Sequence, residues 1–387
     1  MLKLLAIANY RSLRDVVVPL TQLNLITGAN GTGKSSLYRA LRLLADTAQG
    51  RVVPSLAREG GLTSTLWAGP ETIAASVRRG EHAVEGTRRK QRVNLRLGFS
   101  GDEYGYLIDL GLPQPSYSAF GLDPQIKQEF VWHGAVLRPA SLLADRKGSL
   151  VRSRGTNGDW QIVSDRLSPA ESMMSLVVDP RQSPELLFLR ESIRAWRFYD
   201  HFRTDADAPA RSPRLGTYTP VLVHDGSDLA AAIQTICEIG DAHALRAAVE
   251  DAFPNSQLQL DVSSGRFSLQ MTQRGLLRAL SMAEVSDGTL RYLLWIAALL
   301  TPRPPELMVL NEPETSLHPD LLPALARLMV RASEHCQMIV VSHAEPLIQA
   351  LSQHSTCYSI VLEKDFGETK IRGSNRFNTP NWHWPNR

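Results

Sequence analysis

The chain has 387 residues, enough for two or three domain-sized units or for one domain with a large insertion. Hydrophobic residues make up 43% and charged residues 21%, with 26 glycines and 23 prolines, which excludes collagen-like, mucin-like and wholly disordered classes. A net charge of +3 forces no nucleic-acid partner.

Seven of the 42 basic residues are lysines and the rest arginines, which suit phosphate and carboxylate recognition but also follow from a GC-rich gene. The cysteines, Cys237, Cys336 and Cys357, are few, odd in number and far apart. They predict neither a disulfide framework nor a zinc knuckle and fit a reducing cytosol. Met1 to Tyr10 lacks a signal-peptide stretch, and Tyr292 to Leu300 falls short of the ~20 residues of a membrane span. The expectation is a cytoplasmic protein with no membrane partner.

In chain order, apolar runs predict short strands over 2–9 and 15–20, with a turn at Asn9 to Ser12. A third strand, Leu23 to Thr27, runs into a glycine-rich turn. A helix follows from Ser35 to Thr47, with Leu37, Ala40, Leu41 and Leu44 on one face. Residues 72–165 carry β-type runs at 73–77, 93–99, 104–110, 129–132 and 160–163, separated by turn residues, and predict an antiparallel meander. Residues 168–200 look helical and 203–216 read as a linker.

Helical text returns at 227–253, then β-like runs at 257–262 and 267–271. A helix opens near Gly288. Strands are expected at 307–310, 338–341 and 358–363, a helix at 320–336, and a short hairpin and tail over 366–387 with Trp382 and Trp384 packed on the body. No repeat and no heptad run of coiled-coil length is present.

Four segments carry chemistry. Gly28-Ala29-Asn30-Gly31-Thr32-Gly33-Lys34-Ser35 matches G-x-x-x-x-G-K-[ST] between a strand and a helix. Its glycines let several backbone N–H groups converge on one anion, and the helix adds its positive end. Lys34 can reach β- and γ-phosphates, and the Ser35 hydroxyl suits Mg²⁺. Leu307 to Pro313 is an apolar strand ending in Asn311-Glu312, where a P-loop NTPase carries its second acidic strand. The usual order is Asp then Glu. Asn311 keeps an oxygen for the metal shell but loses the charge, and Glu312 remains as a general base. Ser286-Asp287-Gly288-Thr289 opens a helix and serves as a cap, a phosphate site, or both. Ile339 to His343 is a buried strand ending in Ser-His, which could sense a γ-phosphate.

In this order the four segments resemble the ABC-type AAA ATPase heads of the RecF, SMC and OLD group. Ile7 to Asp15 is similar to that group's opening strand and turn. Glu312-Pro313-Glu314-Thr315-Ser316-Leu317-His318-Pro319 resembles its E-P-E-x-x-L-H-P segment, and Ser286 to Thr289 its signature. The resemblance covers about residues 1–70 and 280–365. It implies an α/β P-loop NTPase head with a mixed central sheet, an antiparallel β-lobe and an inserted β/helical segment. The expected division is 1–70 and 216–387 for the two parts of the head, and 71–215 for the lobe and insertion.

It further implies ATP sandwiched between two copies. Gly28 to Ser36, including Ala29, Asn30, Gly31, Thr32, Gly33, Lys34 and Ser35, would bind it in cis, and Ser286 and Gly288 in trans. Ser35 and Asn311 would hold Mg²⁺. Glu312 and Lys34 would act in hydrolysis, with His343 as the switch histidine and Thr315 and Ser316 in the loop crossing the dimer. Three departures stand out: Asn311 for the usual Asp, Asp287 for the Gly of transporter heads, and no clear Gln loop. Arg58 loosely resembles the arginine loop of SMC heads.

The expected function is an ATPase that dimerises on ATP and couples nucleotide state to DNA or an effector, in DNA repair or phage defence. The alternative is a low-turnover, nucleotide-gated scaffold holding an effector such as a nuclease. Basic clusters for DNA are Arg78-Arg79, Arg88-Arg89-Lys90-Arg92, Arg146-Lys147 with Arg152 and Arg154, Arg190, Arg194 and Arg197 at helical spacing, and Arg203, Arg211 and Arg214.

Overall fold

A computed structural model describes residues 1–70, 93–114, 117–155, 157–176, 183–374 and 380–385. The expected strand at 73–77 and the basic residues Arg78, Arg79, Arg88, Arg89, Lys90 and Arg92 lie outside the described residues. The chain forms two compact units. One comprises Met1–Thr21, Gly28–Ala195 and Ile360–Arg387, and the other Gln22–Thr27 and Trp196–Ser359.

In the first unit an eight-stranded sheet runs in the order Leu13–Pro19, Leu2–Tyr10, Leu95–Gly101, Tyr104–Gly111, Gln125–His133, Leu142–Lys147, Leu150–Arg154 and Trp160–Ser164. Every neighbouring pair is antiparallel, and tight turns join Leu95–Gly101 to Tyr104–Gly111 and Leu142–Lys147 to Leu150–Arg154. The N-terminal hairpin joins the meander through Leu2–Tyr10 against Leu95–Gly101. Helix Lys34–Thr47 buries Leu37, Leu41 and Leu44 on its inner face, each worth about 2 kcal/mol of apolar burial. Strands Cys357–Asp365 and Glu368–Ile371 form a hairpin with Leu362 opposite Ile371.

The hairpin Leu142–Lys147 and Leu150–Arg154 escapes sequence reading because charges sit inside it. Arg146 and Glu129 are fully buried and joined at 3.0 Å. Glu129 also accepts from Tyr106 OH at 2.6 Å and the Met173 N–H at 2.8 Å, so the charges are satisfied and the strand can be internal. The tail packs on this sheet as expected: the Trp382 ring lies 5.8 Å from Trp132. Gly98 makes the seat, since a Cβ there would stand 2.7 Å from the Trp382 ring.

In the second unit, strands Arg197–Tyr199, Leu307–Asn311, Gln337–Val341 and Leu23–Gly28 (the last up to Thr27) pair in parallel in that order. Their runs are almost continuously apolar, as strands covered on both faces must be. Helix Asp287–Leu299 is buried at every position from Leu290 to Leu299 and belongs to the core of the unit. Helices Leu229–Ile239, Ala242–Ala252 and Leu322–Ser333 pack in the same core. The unit also holds a small antiparallel sheet in which Arg266–Gln273 pairs with Arg214–Leu215, Ser256–Ser263 and Leu280–Ser281.

Among the described residues, the helical expectation for 168–200 holds only for Pro184–Ala195. Met173–Ser175 is a single 3-10 turn capped by Ser172, and Arg197–Tyr199 is a strand paired with Met308 to Leu310. Parallel pairing overrides the local pattern there, so Arg197 does not share a helix face with Arg190 and Arg194. Several of the arginines in the expected DNA clusters have carboxylate partners: Arg146 with Glu129, Arg152 with Asp145, Arg190 and Arg194 with Glu191, and Arg203 with Asp205. No helix among the described residues is long and apolar enough to cross a membrane.

Candidate functional site: a P-loop and an acidic strand edge

The turn at 28–33 uses glycine where the backbone requires it. Gly28 and Gly33 take φ of +149° and +108°. A side chain at Gly33 would strike the Thr369 hydroxyl, and one at Gly28 the Leu362 carbonyl. The C-terminal hairpin therefore buttresses the turn from behind. Thr369 donates to the Thr32 carbonyl at 2.7 Å and lies 2.8 Å from the Ser12 hydroxyl. Ala29, Asn30, Gly31 and Ser35 are exposed on the open side, and nothing lies within 4 Å of the place a Cβ on Gly31 would take.

The helix that follows has no side-chain cap and no acidic residue in its first turn. Its free N–H groups and positive end suit an anion. Lys34 Nζ curls back onto the Gly28 and Ala29 carbonyls at 2.6 and 3.2 Å. Its charge thus lies inside the turn, where a phosphate would replace the carbonyls as its partner. Arg58 ends helix Val52–Arg58 and donates to Ser55 Oγ at 2.8 Å.

In the second unit Asn311, Val341 and Ile26 share one level of the parallel sheet, through the pairs Asn311 to Val341 and Val341 to Ile26. Their common C-terminal edge is where open parallel sheets bind ligands. Asn311 Oδ1 is buried there with no hydrogen-bond partner among the described residues. A buried amide oxygen without a donor fits a cation or its water shell, which is what a Mg²⁺ site requires of this position.

Glu312 follows at φ +49°, a conformation costing about 1 kcal/mol in a non-glycine residue, and its N–H donates to the Val341 carbonyl at 2.8 Å. Its Oε1 lies 3.7 Å from His343 Nδ1. Glu314 is 7% exposed. Its Oε1 accepts from Ser342 Oγ at 2.8 Å, from the His343 N–H at 2.9 Å and from the Ala344 N–H at 3.2 Å. His343 Nδ1 sits 3.4 Å from the same oxygen. Glu314 therefore fixes the histidine loop that the sequence singled out.

Helix Asp287–Leu299 is capped by Ser286, whose Oγ accepts from the Thr289 N–H at 3.2 Å. One face of this helix carries the loop after Glu312. A Cβ on Gly288 would lie 3.2 Å from the Ser316 carbonyl. Arg291 Nη1 donates to the Thr315 carbonyl at 3.0 Å, and Trp295 Nε1 to the Pro313 carbonyl at 3.1 Å. Residues 288, 291 and 295 recur at helical spacing, so capping and loop support come from one element. Burial lowers the Arg291 pKa, and its charge is met by the Phe202 and Thr315 carbonyls.

The family model described as "AAA domain, putative AbiEii toxin, Type IV TA system" matches residues 23–348. The chain belongs to this AAA family. No curated protein matches it. Among solved structures, the SMC head bound to the C-winged helix domain of ScpA is 13% identical, with 96% of this chain and 97% of that chain covered and a TM-score of 0.49. The SMC head domain from Thermotoga maritima is 14% identical, with 97% and 99% covered and a TM-score of 0.42. The Smc head with an extended coiled coil bound to the C-terminal domain of ScpA, derived from Pyrococcus furiosus, is 12% identical, with 96% and 95% covered and a TM-score of 0.47.

As an AAA-family protein the chain is a P-loop NTPase of the ATPase type. Within its second unit Asn311, Glu312 and His343 meet at one sheet edge, while Ser286 and Gly288 sit at the start of the buried helix. Sequence reading of this AAA chain missed Glu314 and Arg291 as working residues. A signal existed for Arg291: a lone charge in the apolar run from Leu290 to Leu299 must find a buried partner. Glu314 entered the sequence reading only through the E-P-E resemblance. Its function depends on contact with Ser342 to Ala344, which no local pattern announces.

Proposed function

We propose that the chain is an ATP-hydrolysing head that dimerises on ATP and couples nucleotide state to DNA or a partner effector. Amides of Gly28 to Ser36 bind the triphosphate, with Lys34 turning from the loop carbonyls to the phosphates. Ser35 and Asn311 hold Mg²⁺, which supplies charge neutralisation for the phosphates. Glu312 takes a proton from the attacking water, and His343, held by Glu314, lies beside it. Ser286 and Gly288 of a second copy close the site.

The observation that carries this proposal is the strand edge at which the unpartnered Asn311 Oδ1 adjoins Glu312 and His343 in sequence and register. Strand Leu23–Gly28 belongs to the same parallel set and continues along the chain into the phosphate-binding turn. The test is steady-state phosphate release with Mg-ATP. Wild type should turn over, and Lys34→Ala and Glu312→Gln should abolish it. A wild-type chain that binds no ATP overturns the proposal.

Asn311 favours a second role, a nucleotide-gated scaffold with little turnover that holds an effector such as a nuclease. The neutral amide weakens metal binding relative to a carboxylate. Tight ATP binding and dimerisation with negligible phosphate release would select it. DNA repair and phage defence are the settings that fit either role, and the type IV toxin–antitoxin system of the family description is one setting of the second kind.

A further inference from the structure

Asp287 presents an electrostatic problem that its neighbours answer. It is the first residue of helix Asp287–Leu299, next to Ser286 and Gly288, with a side chain 63% exposed. A helix N-terminus attracts phosphate, and a carboxylate placed there repels it. The loop at 203–216, which the sequence marks as a linker, supplies the counter-charge. Arg211 Nη2 meets Asp287 Oδ1 at 2.5 Å, and the Arg211 side chain is only 7% exposed.

The guanidinium is held from several sides. Arg211 Nη1 donates to the carbonyls of Met282 at 2.7 Å and Val285 at 2.9 Å, and Nη2 to that of Thr204 at 2.8 Å. Thr204 Oγ1 in turn accepts from Arg291 Nη2 at 3.2 Å, and Arg291 holds the Thr315 carbonyl. Arg211 thus touches the turn leading into the helix, the acidic residue on its first turn and, through Thr204 and Arg291, the loop beyond Glu312. A planar fork with five donors can serve these acceptors together, which a lysine cannot.

We infer that Arg211 is a positioning residue for the triphosphate: it neutralises Asp287 and so lets an acidic signature turn close on the phosphates bound by a second copy. The inference rests on the composite-site proposal above and extends it to a residue outside all four motifs. It also accounts for how Asp is tolerated where transporter heads carry Gly.

The alternative role for Arg211 is purely architectural, through the carbonyls it binds. A charge-rescue experiment separates the two. The ATP concentration that half-dimerises the chain is measured by light scattering during gel filtration, for wild type, Arg211→Gln, Arg211→Gln with Asp287→Asn, and Arg211→Lys. With neutralisation at work, Arg211→Gln raises that concentration ~10-fold or more, because an unpaired carboxylate then faces the phosphates. Adding Asp287→Asn restores it to within about threefold of wild type. Arg211→Lys, which keeps the charge but not the fork, also stays within about threefold.

Failure of the double variant to recover while wild type dimerises overturns the inference and leaves the composite site standing. If Arg211→Gln does not fold, Arg211→Lys decides: a folded lysine variant within about threefold of the wild-type threshold supports neutralisation, and a folded lysine variant whose threshold is raised ~10-fold or more contradicts it. A wild-type chain that stays monomeric at saturating ATP overturns both the composite site and this inference.

Discussion

Glu314 holds His343 by its backbone: the His343 N–H donates to Glu314 Oε1 at 2.9 Å, inside a site where that carboxylate is 7% exposed. The other carboxylate oxygen, Oε2, is buried without a partner among the described residues. A buried charge is kept only where it organises something, and here it gathers Ser342, His343 and Ala344 at the end of a parallel strand.

Glu314→Ala leaves the Ser342 hydroxyl and the His343 N–H without their acceptor, and the Ala344 N–H with Ser342 Oγ alone. We expect a loss of about 2–4 kcal/mol in denaturant unfolding. Phosphate release should fall with it, because His343 loses its fixed position. Glu314→Gln keeps an acceptor oxygen and should cost less than half as much stability. Equal losses for the two variants would show that the charge, rather than the acceptor, matters.

Asn311→Asp places a carboxylate where the amide oxygen now lacks a donor. The magnesium concentration for half-maximal phosphate release should drop by about tenfold, with turnover rising. A magnesium titration at fixed ATP reads both. An unchanged titration would remove Asn311 from the metal shell.

Thr369→Val tests the buttress behind the phosphate turn. It deletes a buried hydroxyl bonded to the Thr32 carbonyl and set beside Ser12. The cost should be about 1 kcal/mol of stability. ATP affinity, measured by calorimetry, should weaken by about threefold because the turn is no longer preorganised. Affinity at the wild-type value with lowered stability would confine Thr369 to a structural role.

Burial pushes the Cys336 thiol up to about 12 and the Cys357 thiol up to about 11. Their folded values exceed the unfolded one, so the stability they contribute is complete below about pH 8.5 and is lost as pH rises from there through 11 and 12. Denaturant midpoints should therefore fall steadily above about pH 8.5. Alkylation at neutral pH should reach exposed Cys237 first and buried Cys336 last. Cys336 reacting as fast as Cys237 in the native state would contradict its burial.

What the sequence made legible follows from how local each signal is. The phosphate turn needs glycine at fixed offsets between a strand and a helix, and the structure has them at Gly28 and Gly33. Strand Leu307–Asn311 and helix Asp287–Leu299 announce themselves by apolar runs bounded by polar caps. The pairing of Leu2–Tyr10 with Leu95–Gly101 does not, because it joins segments about ninety residues apart and nothing in either names the other. Arg211 was equally hidden. It read as one of three arginines, with Arg203 and Arg214, in a basic cluster for DNA within a linker, and its burial against Met282, Val285 and Asp287 gives it a different task. Strand Arg197–Tyr199 looked helical because three residues carry no period of their own.

The most direct measurement of the central claim is complementation between two inactive variants. Lys34→Ala disables the phosphate turn. Ser286→Asp keeps a cap acceptor for the Thr289 N–H but sets a negative charge against the phosphate of the other copy. Each variant alone should release no phosphate above background. Mixed in equal amounts, they form heterodimers holding one intact site, and about a quarter of the wild-type rate should return. No recovery in a mixture shown to contain heterodimers would contradict a site built from two copies of the chain.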